Sequence, residues 1–305
     1  MTDKPLLIPS PLQKGSKIAI VSPAGIARAE DVYGAACVFE RQGWEPVVMP
    51  HALGKSGSYS GTIEERFDDL ERAFRDRDIR AVVCSRGGYG AVHLLQMLEK
   101  LPLREDPKWL VGFSDITVLH GFMISQGIAS IHGPMTKYIR ACDGDNPDFK
   151  SLCKLLQGKR PNYHIKAHLL NKPGVAEGMF AGGNLAVMGG LIGTRYDLLR
   201  PDSILFIEDI AEPIYKVERW LWQMRISGVL QRLRGLLVGA FTDYRPTADY
   251  NTMEEMIAEM TSGFDYPVVF GVPAGHGGVS LPMVEGVQVK INVHATNGAD
   301  VEFVY

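Results

Sequence analysis

No apolar run in the chain approaches the roughly 20 residues that a membrane helix needs, so the sequence predicts no membrane-spanning helix. Cysteine is scarce. Its four copies, Cys37, Cys84, Cys142 and Cys153, show neither a CxxC pair nor the spacing of a disulfide framework. They are expected to be reduced thiols, as in a cytosolic protein. An excess of charge of either sign is also missing: the net charge is −3, so no global basic field attracts nucleic acid or an anionic membrane. The first residues, Met1-Thr2-Asp3-Lys4-Pro5, lack the basic and then apolar pattern expected of a signal peptide. Repeats and low-complexity tracts are absent. The remainder is ordinary for a globular protein: 305 residues with 46% hydrophobic and 22% charged, enough chain to bury more than one core.

The first half alternates strand and helix. Residues 17–22, 45–49, 80–84, 109–113 and 128–131 read as short, continuously apolar strands. Helices are expected between them at 30–42, 63–77, 91–98 and 116–125. Thr62 and Glu65 form a capping box for the second helix, along which Phe67, Leu70 and Phe74 recur at helical spacing. This pattern predicts an α/β fold with a parallel sheet covered by helices. Asp, Asn, Pro, Lys and Gly then accumulate over 143–173, where periodicity fades apart from a short helix at 149–157. That stretch reads as a linker between domains 1–142 and 174–305. The second half starts again, with strands at 175–180, 203–207, 235–241 and 267–271 and helices at 185–192, 215–224 and 253–260. It ends in strands 286–293 and 300–304, expected to pair antiparallel across a turn at Asn297-Gly298.

In open parallel sheets ligands bind beyond the carboxyl ends of the strands, so the residues that follow each strand are the candidates for chemistry. Ser85-Arg86-Gly87-Gly88-Tyr89-Gly90 follows one strand, Ser114-Asp115 another, Glu208-Asp209 a third and Pro273-Ala274-Gly275-His276-Gly277 a fourth. A serine, an acid and a histidine thus occur in the chain order used by hydrolases whose serine sits on a strand–turn–helix elbow. Ser114 lies between an apolar strand and a helix, where backbone N–H groups favour negative charge. It reads either as a nucleophile or as a simple N-cap, and caps are far commoner. The Gly-rich turn lacks the full G-x-G-x-x-G spacing and is not on the first strand, which argues against a dinucleotide site; its amides suit an anion or oxyanion nest. Arg86 is a candidate for a substrate carboxylate or for an ion pair. Glycines leave His276 unshielded, and His132 is the alternative base. Glu208 and Asp209 are adjacent and point to different sides, so one is available to orient a histidine. Cys84 lies inside an apolar strand and reads as a buried thiol rather than a rival nucleophile. His164 and His168 have no carboxylate at ligand spacing, which argues against metal.

Val-Gly-Phe-Ser-Asp-Ile-Thr at 111–117 resembles the nucleophile segment of the LD-carboxypeptidase family of serine peptidases. Ser-Arg-Gly-Gly-Tyr-Gly at 85–90, Gly-Gly-Asn-Leu at 182–185, Phe-Ile-Glu-Asp at 206–209 and Pro-Ala-Gly-His-Gly at 273–277 resemble its further motifs, in the family's order. The resemblance implies a triad of Ser114 (nucleophile), Glu208 (acid) and His276 (base), with oxyanion donors at the amides of Gly88 and Asp115. It implies substrate contact at Asn184. It also implies removal of a terminal D-alanine from the L-centre of a diamino acid in muropeptides, during cell-wall recycling in the cytoplasm, without metal or cofactor. The implied fold is a flavodoxin-like N-terminal domain with a smaller, β-rich C-terminal domain, commonly a homodimer, with the cleft between domains. One branch of the family, the microcin C immunity peptidases, hydrolyses peptidyl- or aminoacyl-adenylates with the same triad. Its members tend to be longer, with an aromatic-bearing insertion. Residues 143–173 are short and offer only Phe149 and Tyr163, which favours the muropeptide reading. A non-catalytic binding protein on the same scaffold, or a nucleotide-binding protein, is the alternative of another class.

Overall fold

The computed structural model describes residues 4–305, except for the side chain of Cys142. The expectations for the first three residues and for the Cys142 thiol lie outside the described part. Two compact units are present: one runs through Lys159 and takes in Leu281–Glu285, and the other comprises Arg160–Ser280 and Gly286–Tyr305.

The first unit is built on strands β1 (Lys17–Val21), β2 (Glu45–Val48), β3 (Ile79–Cys84), β4 (Trp109–Gly112) and β5 (Ser130–His132). They pair in parallel in the order β2-β1-β3-β4-β5. The helices are α1 (Ala29–Arg41), α2 (Ile63–Arg75), α3 (Leu95–Leu98), α4 (Thr117–Ser125), α5 (Thr136–Arg140) and α6 (Pro147–Leu156). All of β4 and every residue of α4 are buried. Continuous apolarity therefore marks elements covered on all sides, as a parallel sheet under helices requires. The capping box on α2 is formed as expected: Glu65 N–H donates to the Thr62 hydroxyl and Thr62 N–H to the Glu65 carboxylate. The inward stripe of α2 differs from the expected one. It comprises Arg66, Asp69, Leu70, Ala73 and Phe74, while Phe67 is only half-buried.

The segment expected to be a linker divides between the units. Helix α6 is capped by the Asn146 side chain, carries Pro147 at its start, and buries Phe149, Leu152, Cys153, Leu155 and Leu156. Phe149 meets Phe39 of α1 edge-on, with ring centroids 5.7 Å apart. Residues Asn162–Ile165 form a strand, β6, of the second unit. The short helix expected at 149–157 is thus present as α6, packed into the first unit rather than carried on a linker, while no strand was expected at Asn162–Ile165.

The second unit adds β7 (Gly174–Asn184), β8 (Ser203–Ile210), β9 (Gly235–Thr242) and β10 (Val268–Val269). These are parallel neighbours in the order β10-β9-β8-β7. A three-residue strand, β11 (Met283–Glu285), belongs instead to the first unit, antiparallel to β5 at the sheet edge. The sheet expected to be parallel is therefore closed by one antiparallel strand. Beyond β7 the second sheet continues with β12 (Gln288–Val293), β13 (Ala299–Val304) and β6, all antiparallel. β12 alternates exposed and buried residues along its length, as a strand with one solvated face does. Helices α7 (Leu185–Gly189), α8 (Ile214–Ile226) and α9 (Met253–Thr261) complete this unit. Among the described residues no helix is long and apolar enough to cross a membrane.

If α6 belongs to the first core, removing the Phe149 ring should destabilise that core by about 3–5 kcal/mol, the usual range for a buried Phe→Ala change. Denaturant unfolding of Phe149→Ala measures this. A loss near zero would mean that 147–156 is a tether rather than core.

Candidate active site

Ser114 occupies the step from β4 into α4, in the first unit. Phe113 takes the N-cap position of a 3₁₀ turn, Ser114–Ile116, which runs directly into α4. The turn has no side-chain cap, so the N-cap reading of Ser114 is corrected. Its backbone is left-handed instead, at φ 65°. Such a conformation costs a non-glycine residue on the order of 1–3 kcal/mol and persists only where the surroundings over-determine it. Among the described residues the other non-glycine positions with positive φ are three aspartates and Ala211. Ala211 follows Glu208 by three positions, so strain recurs at the end of β8.

The Gly-rich turn after β3 lies against this serine. A β-carbon on Gly87 would fall 2.6 Å from the Ser114 Cβ, 2.8 Å from its Oγ and 3.2 Å from the Asp115 nitrogen. Only glycine permits that approach. Gly25 N–H donates to the Gly87 carbonyl at 3.0 Å and holds the turn from β1's side. The exposed Arg86 donates from Nη1 to the Ile26 carbonyl at 2.9 Å. Asp115 is buried, and its Oδ2 accepts the Ala91 N–H at 2.9 Å. Burial pushes its pKa up to about 6, against the opposing pull of that N–H and of Arg66. Cys84 is wholly buried, and desolvation pushes its thiol far above the usual range, which removes it as a nucleophile. His132, the alternative base, is buried within β5 against Phe113. His120 is buried in α4 and donates from Nε2 to the Gly112 carbonyl at 2.9 Å, while Nδ1 accepts from the Ser130 hydroxyl at 2.8 Å. Burial lowers its pKa to about 4, so the ring stays neutral and braces the strand that delivers Ser114.

Glu208 and His276 meet in the second unit. Glu208 has no solvent exposure, and its Oε2 accepts both from His276 Nδ1 at 2.6 Å and from the His276 backbone N–H at 3.1 Å. With Nδ1 donating, the neutral imidazole carries its lone pair on Nε2, the form a general base requires. The contact depends on Gly275, at φ 94°, where a β-carbon would lie 2.5 Å from Glu208 Oε2. It also depends on an irregularity: the register of β8 on β9 shifts between Ile207 and Asp209, around Glu208 itself. Such bulges re-aim side chains next to active sites. Burial pulls the His276 pKa down, but the hydrogen bond and charge of Glu208, with help from Asp209, outweigh it, and the net shift is upward.

Asp209 points elsewhere. Its carboxylate accepts from Asn184 Nδ2 and from Ala186 N–H, both at 2.8 Å. Asn184, expected at a substrate contact, is buried and caps α7 by accepting the Val187 N–H at 3.1 Å. His164 bonds Asp300 at 2.8 Å, and His168 accepts the Leu170 N–H at 3.2 Å, so the two serve different local structures. Sequence reading missed Arg66, a buried guanidinium bonded to the Gly90 carbonyl. The signal was there: Arg66 shares the helical stripe of Leu70 and Ala73. His51, Asp68 and Asp69 also gather at ligand-like spacing, but Asp69 accepts the His51 N–H and Asp68 pairs with Arg72.

Replacing Glu208 by Gln removes the charge and leaves the burial. The His276 pKa should then fall below its ordinary value of 6.5, read by NMR titration of the ring. In the wild-type chain the raised pKa means that the pair's stabilisation is complete below about pH 6.5 and fades as pH rises through the folded-state value. An unshifted His276 in Glu208→Gln would show that Glu208 does not control the ring.

Comparison with known proteins bears on both units. A model described as the LD-carboxypeptidase N-terminal domain matches residues 18–133, and one described as the LD-carboxypeptidase C-terminal domain matches 177–291. The murein tetrapeptide carboxypeptidase of Pseudomonas aeruginosa is 31% identical over 274 residues, 86% of this chain and 88% of its own. The crystal structure of muramoyltetrapeptide carboxypeptidase from Oxalobacter formigenes matches with a TM-score of 0.84 at 26% identity, covering 95% of this chain and 99% of that one. The microcin C7 self immunity protein MccF, in complex with aspartyl sulfamoyl adenosine, shares the fold at a TM-score of 0.84 and 22% identity, over 98% of this chain and 99% of its own.

Proposed function

The chain belongs to the LD-carboxypeptidase family, and from that premise we propose that it is a serine carboxypeptidase that releases the terminal D-alanine from muropeptide tetrapeptides. The observation that carries the reading is the strained Ser114, at φ 65° with the backbone of Gly87 pressed against it. A serine held so at a strand–turn–helix step presents its hydroxyl outward beside backbone amides.

In this reading Ser114 Oγ attacks the carbonyl of the diamino acid while His276 Nε2 takes its proton. Glu208 holds the Nδ1–H and stabilises the imidazolium. The amides of Gly88 and Asp115 receive the oxyanion, each worth about 10²–10³ in turnover. The imidazolium then protonates the departing D-alanine amine, the C–N bond breaks, and water, deprotonated by His276, releases the acyl group. Arg86 and Asn184 contact substrate, Arg86 through the free terminal carboxylate, which its planar fork suits. The chemistry needs neither metal nor redox cofactor. The reading places the enzyme in the cytoplasm, as a homodimer acting on recycled cell-wall fragments.

The test is incubation with a muropeptide tetrapeptide and, separately, with an aminoacyl-sulfamoyl adenosine, products being read by mass spectrometry. We expect D-alanine from the first and no cleavage of the second; the reverse would make the chain an adenylate hydrolase. Ser114→Ala should fold normally and lose roughly four to six orders of magnitude in kcat. Retained D-alanine release would remove Ser114 as nucleophile.

The pH profile gives a separate check. The raised pKa of His276 should place the acid limb of kcat/KM above about 6.5, the ordinary value for histidine. A limb well below it would mean that another group is the base.

A further inference from the structure

Arg66 is among the largest fully buried side chains of the chain. Among the described residues its guanidinium pairs with no carboxylate; its bonds go to three backbone carbonyls and to one histidine ring. Nη1 donates to the Pro23 carbonyl at 2.7 Å and to the Gly90 carbonyl at 2.9 Å, and Nε donates to the Thr62 carbonyl at 3.2 Å. Nη2 faces His93 Nδ1 at 3.3 Å, and the Tyr59 ring lies 5.0 Å from Cζ. Burying a guanidinium without a partner anion is costly, so its placement asks for a purpose.

The purpose lies in the peptide between Gly90 and Ala91. Its carbonyl oxygen, on Gly90, is held by Arg66 at 2.9 Å. Its N–H, on Ala91, is held by the Asp115 carboxylate, also at 2.9 Å. One peptide unit is therefore gripped at both ends by opposite charges, and charge-assisted bonds of this kind are the stronger class. That peptide closes the turn whose Gly88 and Gly90 stand at φ 108° and 120°. A β-carbon on Gly90 would meet Tyr59 at 2.8 Å and Arg66 Nη1 at 3.0 Å, so the guanidinium and ring fill the space beneath the turn.

We infer that Arg66 is a positioning residue for the oxyanion site: with the Asp115 side chain it clamps the 90–91 peptide and so sets the Gly88 amide relative to the Asp115 amide. The inference rests on the proposed carboxypeptidase reading. Asp115 then has two tasks, since its backbone donates to the oxyanion and its side chain holds the turn that carries the other donor. A displaced donor costs catalysis rather than binding, because the oxyanion exists only in the transition state.

The experiment compares full-length wild type, Arg66→Met, Arg66→Gln and Arg66→Lys, with Ser114→Ala as reference, on a muropeptide tetrapeptide. Arg66→Met should lower kcat about 10- to 100-fold, as displacement of a catalytic group by about 1 Å does, with KM within about twofold. Arg66→Lys should recover part of the loss, since an ammonium still donates to the Gly90 carbonyl. Hydrogen exchange across residues 86–95 should quicken in Arg66→Met while the exchange of α4 is unchanged. Arg66→Gln serves the same comparison if Arg66→Met does not fold. Wild-type kcat with unchanged exchange over 86–95 would overturn the clamp, and so would a loss confined to KM. Because exchange needs no substrate, the clamp is judged even if Ser114→Ala stays active, an outcome that sinks the carboxypeptidase reading alone.

Discussion

The passage from β4 into α4 is made within four residues, Phe113 to Ile116, and Ser114 makes it with a left-handed backbone. The surroundings of the step all serve to hold that conformation. His120 braces the Gly112 carbonyl just before it. Gly87 comes close enough that no side chain could stand in its place. Asp115, just after it, reaches across to the Ala91 amide. Backbone strain of this kind is maintained by neighbours that leave no relaxed alternative, and here those neighbours come from α4 and from the ends of β3 and β4.

Burial works in opposite senses on the ionisable groups. For Asp115 and Asp209 desolvation wins, and each carboxyl is pushed up to about 6 although backbone N–H groups bond it. For His276 the partner wins, because Glu208 gives it a short hydrogen bond and a negative charge together. The contrast follows from what each group faces. An anion held by neutral donors loses much of its hydration, whereas an imidazolium next to a buried carboxylate regains in Coulomb attraction what it loses in solvent. The ring's proton affinity is raised and its tautomer fixed by the same carboxylate, which places the proton-accepting lone pair on Nε2.

Much of this was legible beforehand, for a physical reason. Strands buried on both faces are continuously apolar, so β1, β3 and β4 announce themselves, and Thr62 with Glu65 marks the start of α2. Elements that bury one side in a short span do not stand out. The helix at Pro147–Leu156 was seen, two residues short at its start, but assigned to a linker; the four-residue strand at Asn162–Ile165 went unread, and Met283–Glu285 escaped notice because three residues carry no period. Arg66 was passed over because an arginine on a helix is usually solvated; only its position on the stripe of Leu70 and Ala73 hinted otherwise.

By itself the sequence located strands and the turns near their ends, because strand, turn and helix are written in local periodicity and in the glycines between them, although Glu208 lies inside β8, which runs on to Ile210, and the strand before His276 is only Val268–Val269. It thereby marked Ser114, Glu208 and His276 as candidates. Tertiary structure alone decided their surroundings. His276 meets a carboxylate 68 positions away, Ala91 bonds one 24 positions away, and Ser114 is strained rather than a cap. Such contacts depend on how distant segments pack, on a register shift beside Glu208 and on the approach that Gly87 and Gly275 allow, and none of these has a local period to read.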